Sequence, residues 1–218
     1  MELRRMALGK LALVLGRFRQ IPQPAVRAME ESLRSKGQLS PLVAAVGEDG
    51  AFVLVDGFVR HTAATRLGLE SVLVEVVDCS PVQMKAQLYL RNRERGLQLV
   101  EECRLVRELV EVDGLGQVEV GDLLERHKSW VSRRLALIRQ VSPHLVTEAE
   151  LGLLAGGSFR KLAQLPARNQ EELWAAARRA ELGSGDVALL VDLWRRAPDS
   201  TARHFVLGQP LEALLLAR

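Results

Sequence analysis

Over the first eighty positions apolar residues come in short bursts; beyond them they fall into helical spacing. Leu11–Leu15 reads as a strand. Pro24 suits the first turn of a helix, where a missing N–H costs little, and it precedes Val26, Met29 and Leu33 on one face; that helix stops near Gly37. Leu42–Val46 and Phe52–Val55 are apolar runs flanking Gly47-Glu-Asp-Gly50, the pattern of two strands and a turn. Gly57–Leu67 is helical, with Val59, Ala63 and Leu67 four apart, and Ser71–Val77 is a further β-branched strand. After Pro81 no strand pattern remains. Helices are predicted over Val82–Asn92, Val100–Val112, Val118–Arg126, Ser129–Arg139, Pro143–Ala149, Ser158–Leu165, Gln170–Ala180 and Asp186–Arg196. The stretch beyond Pro198 is weakly patterned and reads as a short helix or a frayed tail.

A chain of 218 residues can bury a core in one or two domains. Hydrophobic residues are 48% and charged ones 26%, which excludes a disordered chain. Aromatic residues are only 4%, so Leu, Val and Ala must fill most of the core. The apolar stretch before Arg17 is too short to span a bilayer and lacks a signal-type cleavage region, so a cytoplasmic protein without a membrane partner is expected. Cys79 and Cys103 lack a close partner Cys or a clustered His, which points to two buried structural thiols.

The net charge of +3 is mild, but its distribution is not even. From Arg126 to Thr147 there are five Lys or Arg residues and no acid. VGDLLERHKSWVSRRL has the layout of a helix-turn-helix, with Gly121 at the close approach and Val120 and Leu124 facing inward. Val131, Leu135 and Ile138 recur at i, i+4 and i+7 as an anchoring face. Ser129, Ser132, Arg133 and Ala136 then share the opposite stripe, with Lys128, Arg134 and Arg139 beside it. Short hydroxyls, a bidentate donor and a methyl suit a major groove, and the flanking cations suit phosphates. The same pattern also describes a solvated basic helix in an ordinary bundle, and Glu125 stands where such turns usually have glycine. Trp130 reads as a core aromatic or as a stacking surface.

KGQLSPLV (36–43), followed by VDGFVRHTAATRLGL (55–69), resembles the N-terminal domain of the ParB partition-protein family. That family carries a Gly-x-x-Gln-Pro-type turn, then a strand leading into Gly-Glu-Arg-Arg-x-Arg-Ala. Gly37, Pro41, Gly57, Arg60, Ala63 and Ala64 fit. LRNRERGLQLVEEC (90–103) is similar to its third motif, Glu-Asn-x-Gln-Arg before an acidic helix start, through Asn92, Arg95, Glu101 and Glu102. The basic unit lies where the family has its helix-turn-helix, and LAGGSFRKLAQLP (154–166) is similar to the helix that follows.

The resemblance, over about residues 11–166, implies an α+β protein: a small ParB/sulfiredoxin-like α/β domain (1–80), an all-α helix-turn-helix domain (81–166) and a helical extension (167–218). It implies double-stranded DNA as partner, held by Lys128, Ser129, Ser132, Arg133, Arg134 and Arg139, in a nucleoid-associated and dimer-forming protein. It also implies a CTP pocket drawn from Gly57, Arg60, Asn92 and Arg95. Departures weaken that pocket: Phe58 and Val59 replace an acid and an arginine, Thr62 replaces another arginine, and Arg91 stands in the place of a magnesium-directed glutamate. Each lost charge-assisted hydrogen bond is worth about 1.5–3 kcal/mol. The nucleotide switch is therefore read as degenerate, with no catalytic residue and no metal ligand assigned. Arg60 and Arg66 also read as solvated helix arginines, and His61 as a surface residue. Besides DNA binding, two readings stand: an enzyme (a CTP-dependent clamp or a small phosphotransferase), and an interaction adaptor anchored by Trp174 and Trp194, residues of a type more often found in the core.

Overall fold

β-branched and apolar runs in the first eighty residues pair into one mixed sheet, seen in a computed structural model that describes residues 2–94 and 97–217. The strands are β1 (Glu2–Ala7), β2 (Leu11–Ala12), β3 (Leu42–Val46), β4 (Phe52–Asp56) and β5 (Ser71–Val77), in the order β1-β5-β3-β4-β2. β3 is central, antiparallel to β4 and parallel to β5, and its Leu42, Val43, Ala44 and Ala45 are all buried. A strand covered on both faces is continuously apolar, which explains why this run does not alternate. β5 keeps the alternation, burying Val72 and Val74.

Two departures from the expected elements lie at the sheet edges. Leu11–Leu15 supplies only the two-residue β2, parallel to β4; Val14–Phe18 then turns into a 3₁₀ segment that buries Leu15 and Phe18. β1 has no sequence signature, because only Met6 is buried among its six residues. Its place is set by antiparallel backbone pairing to β5, from Glu2 opposite Val76 to Ala7 opposite Ser71.

The first helices match the 3.6-residue pattern. They are α1 (Gln23–Lys36), α2 (Phe58–Arg66), α3 (Pro81–Asn92) and α4 (Leu99–Arg107); α1 packs on α2, and α3 on β4. Ser80 and Gln83 close a reciprocal cap at the start of α3. His61, expected at the surface, is 8% exposed, with Nε2 3.4 Å from the Leu8 carbonyl. It falls on the inner face of α2 beside Ala64, a direction that spacing within one short helix did not reveal. Cys103 is buried as expected, whereas Cys79 is half-exposed, and burial pushes its thiol pKa upward.

The helix expected over Val100–Val112 changes pitch within its length. After α4 the chain makes a π-helical turn over Glu108–Val112, in which the Asp113 N–H bonds the Glu108 carbonyl. This wider turn brings both carboxylates to one buried ammonium: Lys85 Nζ lies 3.3 Å from Glu108 and 2.7 Å from Asp113. Further along come α5 (Gln117–Leu123), α6 (Lys128–Gln140), α7 (Pro143–Glu150), α8 (Gly156–Leu162), α9 (Ala167–Arg179) and α10 (Ser184–Arg196). The weakly patterned end forms two more helices, α11 (Ser200–Gly208) and α12 (Pro210–Leu216).

The chain divides into two compact units, residues 1–131 and 132–218. In the second, Leu145, Phe159, Leu162, Leu173, Leu190 and Val191 form the core, and Trp174 and Trp194 belong to it, at 7% and 8% exposure. No described helix is long and apolar enough to cross a membrane. Replacing Lys85 by Met removes the cation between two largely shielded carboxylates. The expected result is a loss of about 3 kcal/mol in chemical denaturation at neutral pH, recovered in part when Asp113→Asn is added.

Candidate nucleic-acid interface and anion pocket

The turn between α5 and α6 is built from backbone chemistry. α5 ends with the Arg126 N–H on the Gly121 carbonyl (2.8 Å) and the Glu125 N–H on that of Asp122 (3.2 Å). This paired closure requires a left-handed residue between them, and Glu125 takes it, at φ 53°. The position expected to call for glycine does have the glycine conformation, held by a residue for which it costs about 1–2 kcal/mol. A Cβ on Gly121 would come within 2.6 Å of the Arg126 carbonyl oxygen, so the close approach read from the sequence is real. His127 then caps α6: its Nδ1 accepts the Ser129 N–H at 3.2 Å, and its carbonyl accepts that of Trp130 at 2.8 Å.

Tyr89 on α3 and Arg93 just beyond its end hold this turn. Arg126 Nε donates to the buried Tyr89 hydroxyl at 2.6 Å, and Arg93 Nη1 to Glu125 at 2.7 Å. Trp130 meets Tyr89 edge-on, with ring centroids 5.6 Å apart, and the Arg126 guanidinium lies 5.4 Å from the Trp130 centroid. Trp130 is thus a packing residue of the turn.

Along α6, burial follows the expected stripe. Val131, Leu135 and Ile138 are 0%, 2% and 3% exposed. Lys128, Ser129, Ser132, Arg133, Ala136 and Arg139 are exposed and Arg134 is half-exposed. The Ser129 hydroxyl lies 2.9 Å from His127 Nδ1, which orients it at the start of the helix.

A separate cavity of about 270 Å³ opens where β4 runs into α2. Gly57, at φ 101°, makes that junction; a Cβ there would sit 3.0 Å from Leu42 Cγ and 3.3 Å from Arg60 Nη2. Gly57, Arg60 and Asn92 all line the cavity, while Arg95 lies outside the described residues. Arg60 is not a solvated helix arginine. Its Nη1 donates to the Pro41 carbonyl (2.6 Å) and the Ser40 hydroxyl (2.8 Å), and its Nη2 to Asp56 (3.1 Å). Asn92 Nδ2 donates to the other Asp56 oxygen at 3.2 Å. Arg66, by contrast, is exposed, beside Gln23 and Glu30. Arg91 is not part of the lining and lies 3.6 Å from Glu75 of β5.

Sequence reasoning missed Asp56 and Arg19. Asp56 closes a strand immediately before Gly57, and that Asp-Gly junction was the available signal. Arg19 follows the irregular 3₁₀ segment and has no local pattern; it reaches the cavity through Glu101, 3.2 Å away. Glu101 is 4% exposed and also accepts the Gln20 and Gln98 backbone N–H groups. Burial pushes its carboxyl above the ordinary range, against Arg19 and those two amides, which pull it down. No group of three or more His, Cys, Asp or Glu suited to a metal ion occurs among the described residues.

A five-stranded mixed sheet whose β4–Gly57–α2 junction forms a cavity lined by charged and apolar residues, followed by helices, defines the class of a ParB-type α+β domain. Residues 16–92 match the family model described as the ParB N-terminal domain, and the chain belongs to the ParB-like partition-protein family. The chromosome-partitioning protein Spo0J of Thermus thermophilus is 33% identical over 184 residues, which are 80% of this chain and 66% of that protein. A probable chromosome-partitioning protein ParB of Treponema pallidum is 25% identical over 148 residues, 67% of this chain and 45% of that protein. The chain therefore spans between about half and two thirds of these relatives' length. Among solved structures, a C-terminally truncated chromosome-partitioning protein ParB from Caulobacter crescentus, complexed to the centromeric parS site, aligns at TM-score 0.48 and 19% identity, over 87% of this chain and 98% of that one.

Glu125→Gly relieves the left-handed strain and loses only an exposed ion pair, so thermal melting should show a gain of up to about 1 kcal/mol. Gly121→Ala should cost about 1–3 kcal/mol in the same measurement, because the added methyl meets a backbone carbonyl. For Glu101 the folded pKa is raised, so the folded state binds more protons than the unfolded chain. Its contribution to stability is therefore greatest below the ordinary carboxylate range and falls as pH rises through the folded value. Denaturation followed from acid to neutral pH should show this falling component in the native protein and its absence in Glu101→Gln.

Proposed function

We propose that the chain binds double-stranded DNA in a sequence-specific way, with α5, the Glu125 turn and α6 acting as a helix-turn-helix. The observation that carries this reading is the partition of α6: its apolar residues are buried, while an acid-free stripe of hydroxyls and cations stays exposed. Ser129, Ser132 and Arg133 read base edges, and Lys128, Arg134 and Arg139 hold phosphates. The T. thermophilus and T. pallidum relatives are named as chromosome-partitioning proteins, which supports the same role for this chain, in a cytoplasmic, nucleoid-associated and dimeric form. The proposed division is an α/β domain (1–80), a DNA-binding segment (81–166) and a helical extension (167–218).

Duplex affinity should fall log-linearly with salt, with a slope of about −0.9 per phosphate contact. On a site selected from random duplexes, Arg133→Ala should cost about 1–3 kcal/mol and relax discrimination, whereas Arg139→Ala should weaken all duplexes alike. Equal losses on selected and random DNA would reject this assignment of the helix face.

A second reading, nucleotide binding, is favoured by the cavity that brings Gly57, Arg60 and Asn92 together. Its two lining arginines are each matched by a carboxylate, Arg60 by Asp56 and Arg19 by Glu101. A triphosphate must compete with both acids for those arginines, and the charges that Val59 and Thr62 lack are not supplied by Arg91. Weak, metal-independent CTP binding without turnover follows. Calorimetry with and without magnesium, together with phosphate release in the presence of selected DNA, checks this. Turnover that disappears in Arg60→Ala would favour the CTP-dependent clamp instead.

A further inference from the structure

A serine hydroxyl rotates freely and can donate or accept, so Ser129 taken alone would meet either kind of base edge. Its surroundings at the start of α6 remove that choice. The Ser129 backbone N–H donates to His127 Nδ1 at 3.2 Å, so this nitrogen presents its lone pair and carries no hydrogen. The ring hydrogen therefore sits on Nε2, because the hydrogen bond made by one imidazole nitrogen decides the state of the other. Ser129 Oγ lies 2.9 Å from the same Nδ1. An oxygen lone pair facing a nitrogen lone pair at that distance is repulsive, so the hydroxyl hydrogen lies between the two atoms.

His127 and Ser129 are both exposed. With its hydrogen committed to the imidazole, the Ser129 hydroxyl offers only lone pairs to anything that approaches from outside. In the major groove the donors are the adenine N6 and cytosine N4 amino groups. Guanine O6 and N7, adenine N7 and thymine O4 are acceptors, and would meet Ser129 lone pair against lone pair. Each base pair carries one amino group in that groove, on one strand only, so an acceptor-only serine distinguishes a pair from its reverse.

We propose, on the reading of α6 as the base-contacting helix, that Ser129 selects an adenine or cytosine amino group and that His127 is the positioning residue that sets this polarity. The test uses the full chain and the duplex it selects from random sequences. Each adenine is replaced in turn by deoxynebularine and each cytosine by deoxyzebularine, which lack the amino group. At one position the wild type should lose about three- to tenfold in affinity, and Ser129→Ala should lose nothing further there. His127→Ser keeps a side chain able to cap α6 but frees the Ser129 hydroxyl to rotate. It should melt like the wild type and lose most of its dependence on that amino group. Selective binding in which no amino group is coupled to Ser129 overturns the proposal and leaves the DNA reading standing. So does full dependence retained in His127→Ser, or coupling of Ser129 to a purine N7 removed by a deaza analogue, which would make the serine a donor. Absence of any selective duplex binding rejects the proposal together with the DNA reading.

Discussion

The buried ammonium of Lys85 on α3 imposes the strictest condition on what packs around it. A cation taken out of water must be met by charge, and here Glu108 and Asp113 meet it from a π-helical turn that an ordinary helix would not form. Such a triad adds little net stability, because desolvation offsets most of the attraction. The two carboxylates that meet Lys85 flank the change of pitch after α4, just ahead of α5. Tyr89 and Arg93 then hold the turn after α5, while Asn92 reaches back to Asp56 of β4. One helix thus borders both the β4–α2 cavity and the turn that leads into α6.

The two candidate sites hold their arginines differently. In the cavity each arginine has a carboxylate beside it, and the most buried of these, Glu101, is held by backbone amides as well. Such a site is organised before any ligand enters, at the cost of competing with an anionic one. On α6 Lys128, Arg133 and Arg139 are exposed and Arg134 is half-exposed, a local surplus of cations of the kind that makes association with a polyanion salt-dependent.

The turn between α5 and α6 places a charged residue in a backbone conformation that glycine usually supplies. Glu125 adopts the left-handed backbone that glycine would adopt more cheaply, and its side chain is engaged by Arg93. Strain of this kind persists where surrounding contacts over-determine the conformation, as the paired hydrogen bonds to Gly121 and Asp122 do here.

Local periodicity determined most of the elements. Strands β3, β4 and β5 and the helices through α10 lie close to where alternation and 3.6-residue spacing predict them, and the buried and exposed faces of α6 are legible from i, i+4, i+7 spacing alone. Gly57, Arg60 and Asn92 were legible as one site because a family resemblance linked segments far apart in the chain. Tertiary structure alone decided the rest. β1 is visible only as a partner of β5, since an edge strand that buries one side chain has no periodic signal. His61 is buried because of what lies over α2, and Arg19 joins the cavity through Glu101, eighty-two residues further along the chain. Arg91 departs from the cavity for a similar reason, because Glu75 of β5 draws it away. Hydrophobic period is a property of neighbouring residues and survives in the sequence; the pairing of charges and of strand edges depends on residues that only folding brings within a few ångströms.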